Sequence, residues 1–230
     1  MAAWTMAAVG VDGCKTGWIA VALRQDAAPQ AYYLPSIDAL DHAIPDAETI
    51  AIDIPIGLPD AGRRRADVAA KARLGPRRNS VFLTPVRPAL EAADHASATA
   101  LSEQLTGSGI SQQSYALRAK IFEVERWLPA APCGVWEVHP ELSFALLLGA
   151  PAQASKKSWA GMVERRDALL QVGIDLDRVP NAVAGRAAVD DMLDAGAAAW
   201  TARRLFEGAA LSFPVPPDID ASGRTIAIWA

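Results

Sequence analysis

The stretch Thr49-Ile-Ala-Ile-Asp-Ile54 constrains the fold more than any other feature, because its apolar residues are consecutive rather than alternating. A strand that is apolar on both sides has no solvent face, so it belongs inside a sheet with layers packed above and below it. Pro55 and Gly57 stop it. Residues 7–11 form a second unbroken apolar run that ends at Asp12, with turn chemistry at Gly13 and Gly17. Residues 18–23 and 31–34 read as two more strands, and the short links between them indicate an antiparallel meander. Ser36 is placed to cap a short helix to Ile44, with Ile37, Leu40 and Ile44 on one face. A mainly helical insertion follows over 63–128, broken by loops at 76–88 and 106–109. Residues 135–138 read as a fifth strand, and Pro140 is placed to start a helix. Helices are expected over 155–172 and 189–207, and after the Pro-rich 214–217 a last strand over 225–229. This order predicts an α/β chain: a mixed sheet covered by helices, with the helical insertion between its fourth and fifth strands.

A chain of 230 residues with 51% hydrophobic and 21% charged residues can fill one core, and residues 1–230 are read as a single domain. No apolar run approaches the ~20 residues that span a bilayer, and the first charge is Asp12, so a basic leader and a membrane location are not expected. Two cysteines, Cys14 and Cys133, exclude a disulfide framework or a Cys-rich zinc site and suit a cytoplasmic setting. Oligomeric state leaves no mark in the sequence. The net charge of −4 conceals a basic stretch in which Arg63, Arg64, Arg65, Lys71, Arg73, Arg77 and Arg78 stand against Asp67 alone. Such a run reads first as a solvated helix face and second as a seat for a phosphate-bearing partner.

The acids carry the chemistry. Asp12 and Asp53 each close a buried apolar run. On adjacent parallel strands they would stand ~4.8 Å apart. Carboxylates that close repel, and a divalent cation is the usual remedy, although each acid alone can also cap a turn. Asp190, Asp191 and Asp194 open the helix at 189, and spacings of three and four put Asp194 beside both others. An acidic first turn suits a helix N-terminus, but the small residues 195–199 also suit close packing on a sheet, which would aim the acids over the strand ends. Glu137 interrupts an apolar strand, and His139 after it is a candidate for metal binding or proton transfer, or a structural residue before Pro140. Gly13-Cys14-Lys15-Thr16 lacks the glycine that a phosphate loop needs before its lysine, and no dinucleotide fingerprint, His-Glu-x-x-His or Gly-x-Ser-x-Gly is present. Trp159, beside Lys156 and Lys157, is read as core packing, with base stacking as the alternative.

Val9-Gly-Val-Asp-Gly-Cys14, Ile52-Asp-Ile-Pro-Ile-Gly-Leu-Pro59, Ser80-Val-Phe82, Glu137-Val-His-Pro-Glu141, Ser155-Lys156 and Asp190-Asp-Met-Leu-Asp-Ala195 together resemble the DUF429 proteins, in family order from about Val9 to Trp200. That family is regarded as predicted nucleases of the ribonuclease H-like fold. The resemblance implies a five-stranded mixed sheet in which the first and fourth strands are neighbours. It implies that Asp12 and Asp53 match the first-strand and fourth-strand acids of that superfamily, and that Asp191 and Asp194 match the paired helix acids of its Holliday-junction-resolvase branch. Asp190 is an additional candidate. Thr84 departs from the small residue expected after Ser-Val-Phe-Pro, since the stretch here is Ser80-Val-Phe-Leu-Thr-Pro85.

The expectation is therefore a Mg²⁺- or Mn²⁺-dependent phosphodiesterase acting on DNA or RNA. Asp12, Asp53, Asp190, Asp191 and Asp194 are its metal ligands, with Glu137 in the catalytic set and His139 moving protons. Arg63, Arg64, Arg77, Arg78, Lys156 and Arg165 would neutralise phosphates. The rivals are a non-catalytic metal- or nucleic-acid-binding module and a nucleotide-dependent phosphotransferase.

Overall fold

The computed structural model describes residues 6–220 and 223–230. The chain runs β1 (Ala7–Cys14), β2 (Gly17–Leu23), β3 (Gln30–Leu34), α1 (Ala39–Ala43) and β4 (Ala47–Ile52). An insertion follows, made of α2 (Arg65–Leu74), α3 (Arg87–Glu91), α4 (His95–Thr106), α5 (Gln112–Ala116) and α6 (Arg118–Trp127). The chain resumes with β5 (Gly134–Glu137), α7 (Pro140–Leu147), α8 (Trp159–Gln171), α9 (Asn181–Ala184) and α10 (Val189–Phe206). A hairpin of β6 (Ser212–Ile219) and β7 (Thr225–Trp229) follows.

Five strands form one sheet in the order β3-β2-β1-β4-β5. β2 pairs antiparallel with β1 and β3, whereas β4 runs parallel to β1 and β5. With helices on both faces, this is the ribonuclease H-like fold, its helical insertion lying between the fourth and fifth strands. Among the described residues no helix is long and apolar enough to cross a membrane.

The unbroken apolar runs are explained by the two layers around β1 and β4. Val9, Val11, Ile50 and Ile52 enter a core completed by Ile37, Leu40, Leu90, Ile121 and Trp127. Ala8 and Ala51 face the other way, against Ala198 and Ala202 of α10. At Gly10 the helix rides on the strand with nothing between them. A Cβ there would lie 1.9 Å from the Ala199 nitrogen and 2.3 Å from the Ala195 oxygen. The small residues of α10 and the bare Gly10 therefore allow backbone-on-backbone contact, which fixes the height and rotation of α10 over the sheet.

Several boundaries differ from expectation for identifiable reasons. β1 continues through Asp12 to Cys14, because Asp12, Gly13 and Cys14 pair with Ile19, Trp18 and Gly17. The turn is Lys15-Thr16, not Gly13. Gly17 is required by crowding rather than by the turn, since a Cβ there would meet the Leu34 carbonyl oxygen at 2.2 Å. The first helix begins after Asp38, not at Ser36. α8 starts four residues later than predicted, where the Ser158 side chain accepts the Gly161 N–H, which leaves Ser155 and Lys156 in a turn. The short α9 has too little periodicity to be read from sequence. Residues 214–217, expected to precede the last strand, lie inside β6. Pairing with β7 occurs at Ser212 and Phe213 and again at Asp218 and Ile219, so the prolines fall in the interruption where no N–H is asked for.

Candidate active site

The register that pairs Gly10 with Ala51 and Val11 with Ile52 brings Asp12 and Asp53 side by side at the carboxyl ends of the parallel strands. The Asp53 N–H donates to the Val11 carbonyl at 3.0 Å, extending the ladder by one bond. Asp12 lies two residues beyond Gly10 and so points to the face covered by α10. Asp194 immediately precedes Ala195, whose carbonyl touches Gly10, so the packing that seats the helix also delivers its acid to the strand ends. Asp12, Asp53 and Asp194 line a single cleft of about 840 Å³, at the strand-end position where open α/β sheets hold ligands.

The three carboxyls are electrostatically unsatisfied. Burial, then repulsion from Asp53, Asp194 and Asp191, raises Asp12 well above the usual carboxylate range. Burial pushes Asp53 up to about 7, with Lys156 opposing and Glu141 adding to the rise. Burial likewise carries Asp194 up to about 6 despite Lys156. The Lys156 ammonium donates to Asp194 Oδ2 at 2.6 Å; burial disfavours its charge, but Asp194, Asp53 and Asp12 together hold it firmly protonated. Asp194 is 2% exposed, and its second oxygen, Oδ1, is buried with no hydrogen-bond partner.

The other candidate acids are committed elsewhere. Glu137 accepts two bonds from Arg64, at 2.6 and 2.7 Å, and one from the Ile56 N–H at 2.7 Å. It lines the cleft as a buried strut between β5 and the segment leading into α2, paired with Arg64 rather than with the aspartates. Asp191 accepts the Ala188 N–H at 3.0 Å, capping its own helix. Asp190 pairs with Lys157 and stands 3.8 Å from Lys156. Neither Asp190 nor Asp191 lines the cleft, so Asp194 is the α10 acid directed at Asp12 and Asp53.

The basic residues divide in the same way. Arg64 and Arg165 are 6% and 1% exposed. Arg165 grips Glu141 at 2.8 and 2.9 Å, as Arg64 grips Glu137, so neither guanidinium is offered to a phosphate. Arg77 lines the cleft but donates to the carbonyls of Ala152 and Gln153. Arg78 is exposed on a 3₁₀ turn, and Arg63 lies outside the cleft, donating to Ser108 Oγ at 3.2 Å. Lys156 is the predicted cation that reaches the acids. The basic run is thus not one face: Arg65 pairs with Asp218 of β6, and Lys71 donates to the Arg78 and Val81 carbonyls.

His139 lines the cleft. Its Nε2 lies 3.2 Å from the Ser80 carbonyl oxygen, which can only accept, so Nε2 carries the hydrogen and Nδ1 keeps its lone pair. Nδ1 has no hydrogen-bond partner, and burial pushes the imidazole pKa down, keeping the ring neutral near pH 7. Two cleft lysines escaped the sequence reading. Lys15 is exposed in the hairpin turn, and Lys120 of α6 donates to the Gly17 carbonyl at 2.6 Å over the Trp18 ring. Lys120 comes from the insertion, and no local pattern links it to β1. Trp159 is 77% exposed, which overturns its reading as a core residue.

The donor set suits a hard divalent cation: carboxylate oxygens, one of them orphaned, carrying more negative charge than Lys156 neutralises. Among the described residues no three His, Cys, Asp or Glu side chains are already gathered at ligating distance. Loading would therefore need side-chain rotation, which the free Asp194 Oδ1 permits.

A family model described as "Protein of unknown function (DUF429)" matches residues 10–219, and the chain belongs to that family. No curated protein and no solved structure matches the chain.

Proposed function

We propose that the protein is a metal-dependent nuclease, hydrolysing phosphodiester bonds in the cleft at the ends of β1 and β4. One observation carries the reading: Asp12, Asp53 and Asp194 share one cleft and no arginine pairs with any of them, while the neighbouring Glu137 and Glu141 each hold one. A fold that can neutralise buried acids so completely has left these three with one lysine between them, paired to Asp194.

Mg²⁺ or Mn²⁺ bound there would supply Lewis acidity, lowering the pKa of a water and stabilising the departing oxygen. The three aspartates would provide the oxygen ligands. Lys156 orients Asp194 and adds positive charge at the mouth of the site. His139 offers a neutral Nδ1 to hold a proton, its tautomer set by the Ser80 carbonyl. Lys15, Lys120 and Arg77 line the cleft with positive charge suited to a polyanion. No side-chain nucleophile is required.

The test is incubation of labelled single-stranded, double-stranded and branched DNA and RNA with and without Mn²⁺. Metal-dependent cleavage that disappears in both Asp53→Asn and Asp194→Asn supports the reading; cleavage that survives both variants overturns it. A second reading, a binding module that does not turn over, is favoured by the Lys156–Asp194 contact, which already gives one carboxylate a resident cation. It predicts that calorimetry detects no Mn²⁺ binding unless Lys156 is removed.

A further inference from the structure

We propose that Phe82 is a stacking platform for an unpaired base, so that the substrate of the cleft is a single-stranded nucleic acid segment that passes over Phe82 into a second cavity. This rests on the nuclease reading for the identity of the polymer, but not on catalysis.

Phe82 stands where two cavities meet. It lines the acidic cleft, and like Thr84 it also lines a second cavity of about 280 Å³. That volume lies just below the range of roughly 300–1,000 Å³ for small-molecule pockets, the scale of one nucleotide rather than a helix or peptide. Arg63 and Ser108 are in its wall, so a charge and a hydroxyl are available to a phosphate or sugar.

The ring is 39% exposed although the chain on either side of it is anchored. Before it, Val81 is buried in a core with Ala66, Ala70 and Leu74, and the Val81 carbonyl accepts from Lys71. After it, Thr84 is tied to Asp67 through its N–H at 2.7 Å and its hydroxyl at 3.1 Å. α2 therefore holds both flanks, and the aromatic between them remains at the rim. An aromatic that is partly exposed between two anchored flanks can stack a base with little ordering to lose on binding. In a duplex the base faces are already occupied by neighbouring bases, so a flat ring of this kind discriminates for unpaired strands.

The experiment is fluorescence anisotropy of labelled single-stranded and duplex oligonucleotides with the full chain in EDTA, where binding is measured without cleavage. Phe82→Ala is expected to weaken single-strand binding about tenfold and to leave duplex binding unchanged, whereas Phe82→Trp retains affinity. Arg63→Ala should weaken binding and reduce the slope of log K against log salt by about one. Full affinity in Phe82→Ala overturns the proposal, as does full affinity in Phe82→Leu, which keeps an apolar side chain but no π-face. Absence of single-strand binding by the wild type also overturns it. Wild-type binding lost in Phe82→Ala without Mn²⁺-dependent cleavage supports the platform and defeats the nuclease reading, and cleavage unaffected by Phe82→Ala does the reverse.

Discussion

Arg165 and Glu141 show what a neutralised buried acid is worth in this protein. Removing one member of a buried pair leaves a charge without a partner, a cost of about 3–5 kcal/mol, whereas replacing both with apolar residues is often neutral. Arg165→Leu should therefore lower urea-unfolding stability by about that amount, and Arg165→Leu with Glu141→Leu by much less. Equal losses in the two would show that the pairing is not what matters. The site aspartates behave in the opposite sense. Asp53 and Asp194 rise on folding from 3.8 to about 7 and about 6, so the folded protein holds protons that the unfolded chain releases. The stability these groups contribute is complete below their unfolded value and is lost as pH climbs through about 6 to 7. The thermal midpoint of the metal-free protein should fall between about pH 5 and about pH 8, and fall less in Asp53→Asn. Identical pH profiles for the two proteins would contradict the upward shift that burial gives Asp53. The three acids were legible because each stands at the edge of an apolar or small-residue run. Their separation from Glu137, Asp190 and Asp191 was not, because it depends on Arg64, Lys157 and the Ala188 N–H, partners that a strand or helix pattern does not specify.

Among the elements, α10 decides which acid is used. Spacings of three and four put Asp190, Asp191 and Asp194 on one side of the helix, and the rotation that selects Asp194 comes from contact at Gly10. Gly10→Ala should cost about 1–3 kcal/mol by overpacking, because the atoms it meets are backbone and no rotamer change can relieve them. It should also abolish Mn²⁺ binding by calorimetry, while Gly62→Ala, at a glycine with nothing within 4 Å of the added Cβ but with positive φ, lowers stability and keeps metal binding. Metal binding retained by a folded Gly10→Ala protein would separate the site from helix seating. The burial of β1 and β4 on both faces could be anticipated from their consecutive apolar residues, whereas their adjacency was implied only by the family resemblance. The β6 strand could not, since its prolines argue against a ladder unless the interruption in pairing is known.

For the whole molecule, the insertion and the hairpin complete the walls of a cleft that the sheet alone leaves open. α6 contributes Lys120, the turn after α2 contributes Arg77, and Ile228 of β7 lines the same space. A cation held by the folded state alone stabilises it by mass action, about 2.7 kcal/mol at a hundredfold excess over Kd. For a chain of this size that is a rise in Tm of roughly 5–11 °C. Saturating Mn²⁺ should give a rise of that order near pH 8 and a smaller one near pH 5, where the carboxyls are protonated, and none in Asp194→Asn. An equal rise in the variant would place the metal elsewhere. This convergence was the least readable part of the sequence, because the residues that share the cleft run from Asp12 to Ile228 and meet through packing alone.

The bare contact between α10 and β1 has an evolutionary corollary. Two of the cleft aspartates are carried on main chains that touch directly, so the spacing of their backbones does not depend on the shape of any bulky neighbour. Large side chains in the surrounding layers can be exchanged over generations while the gap between Asp12 and Asp194 stays put, like two jaws cut from one block.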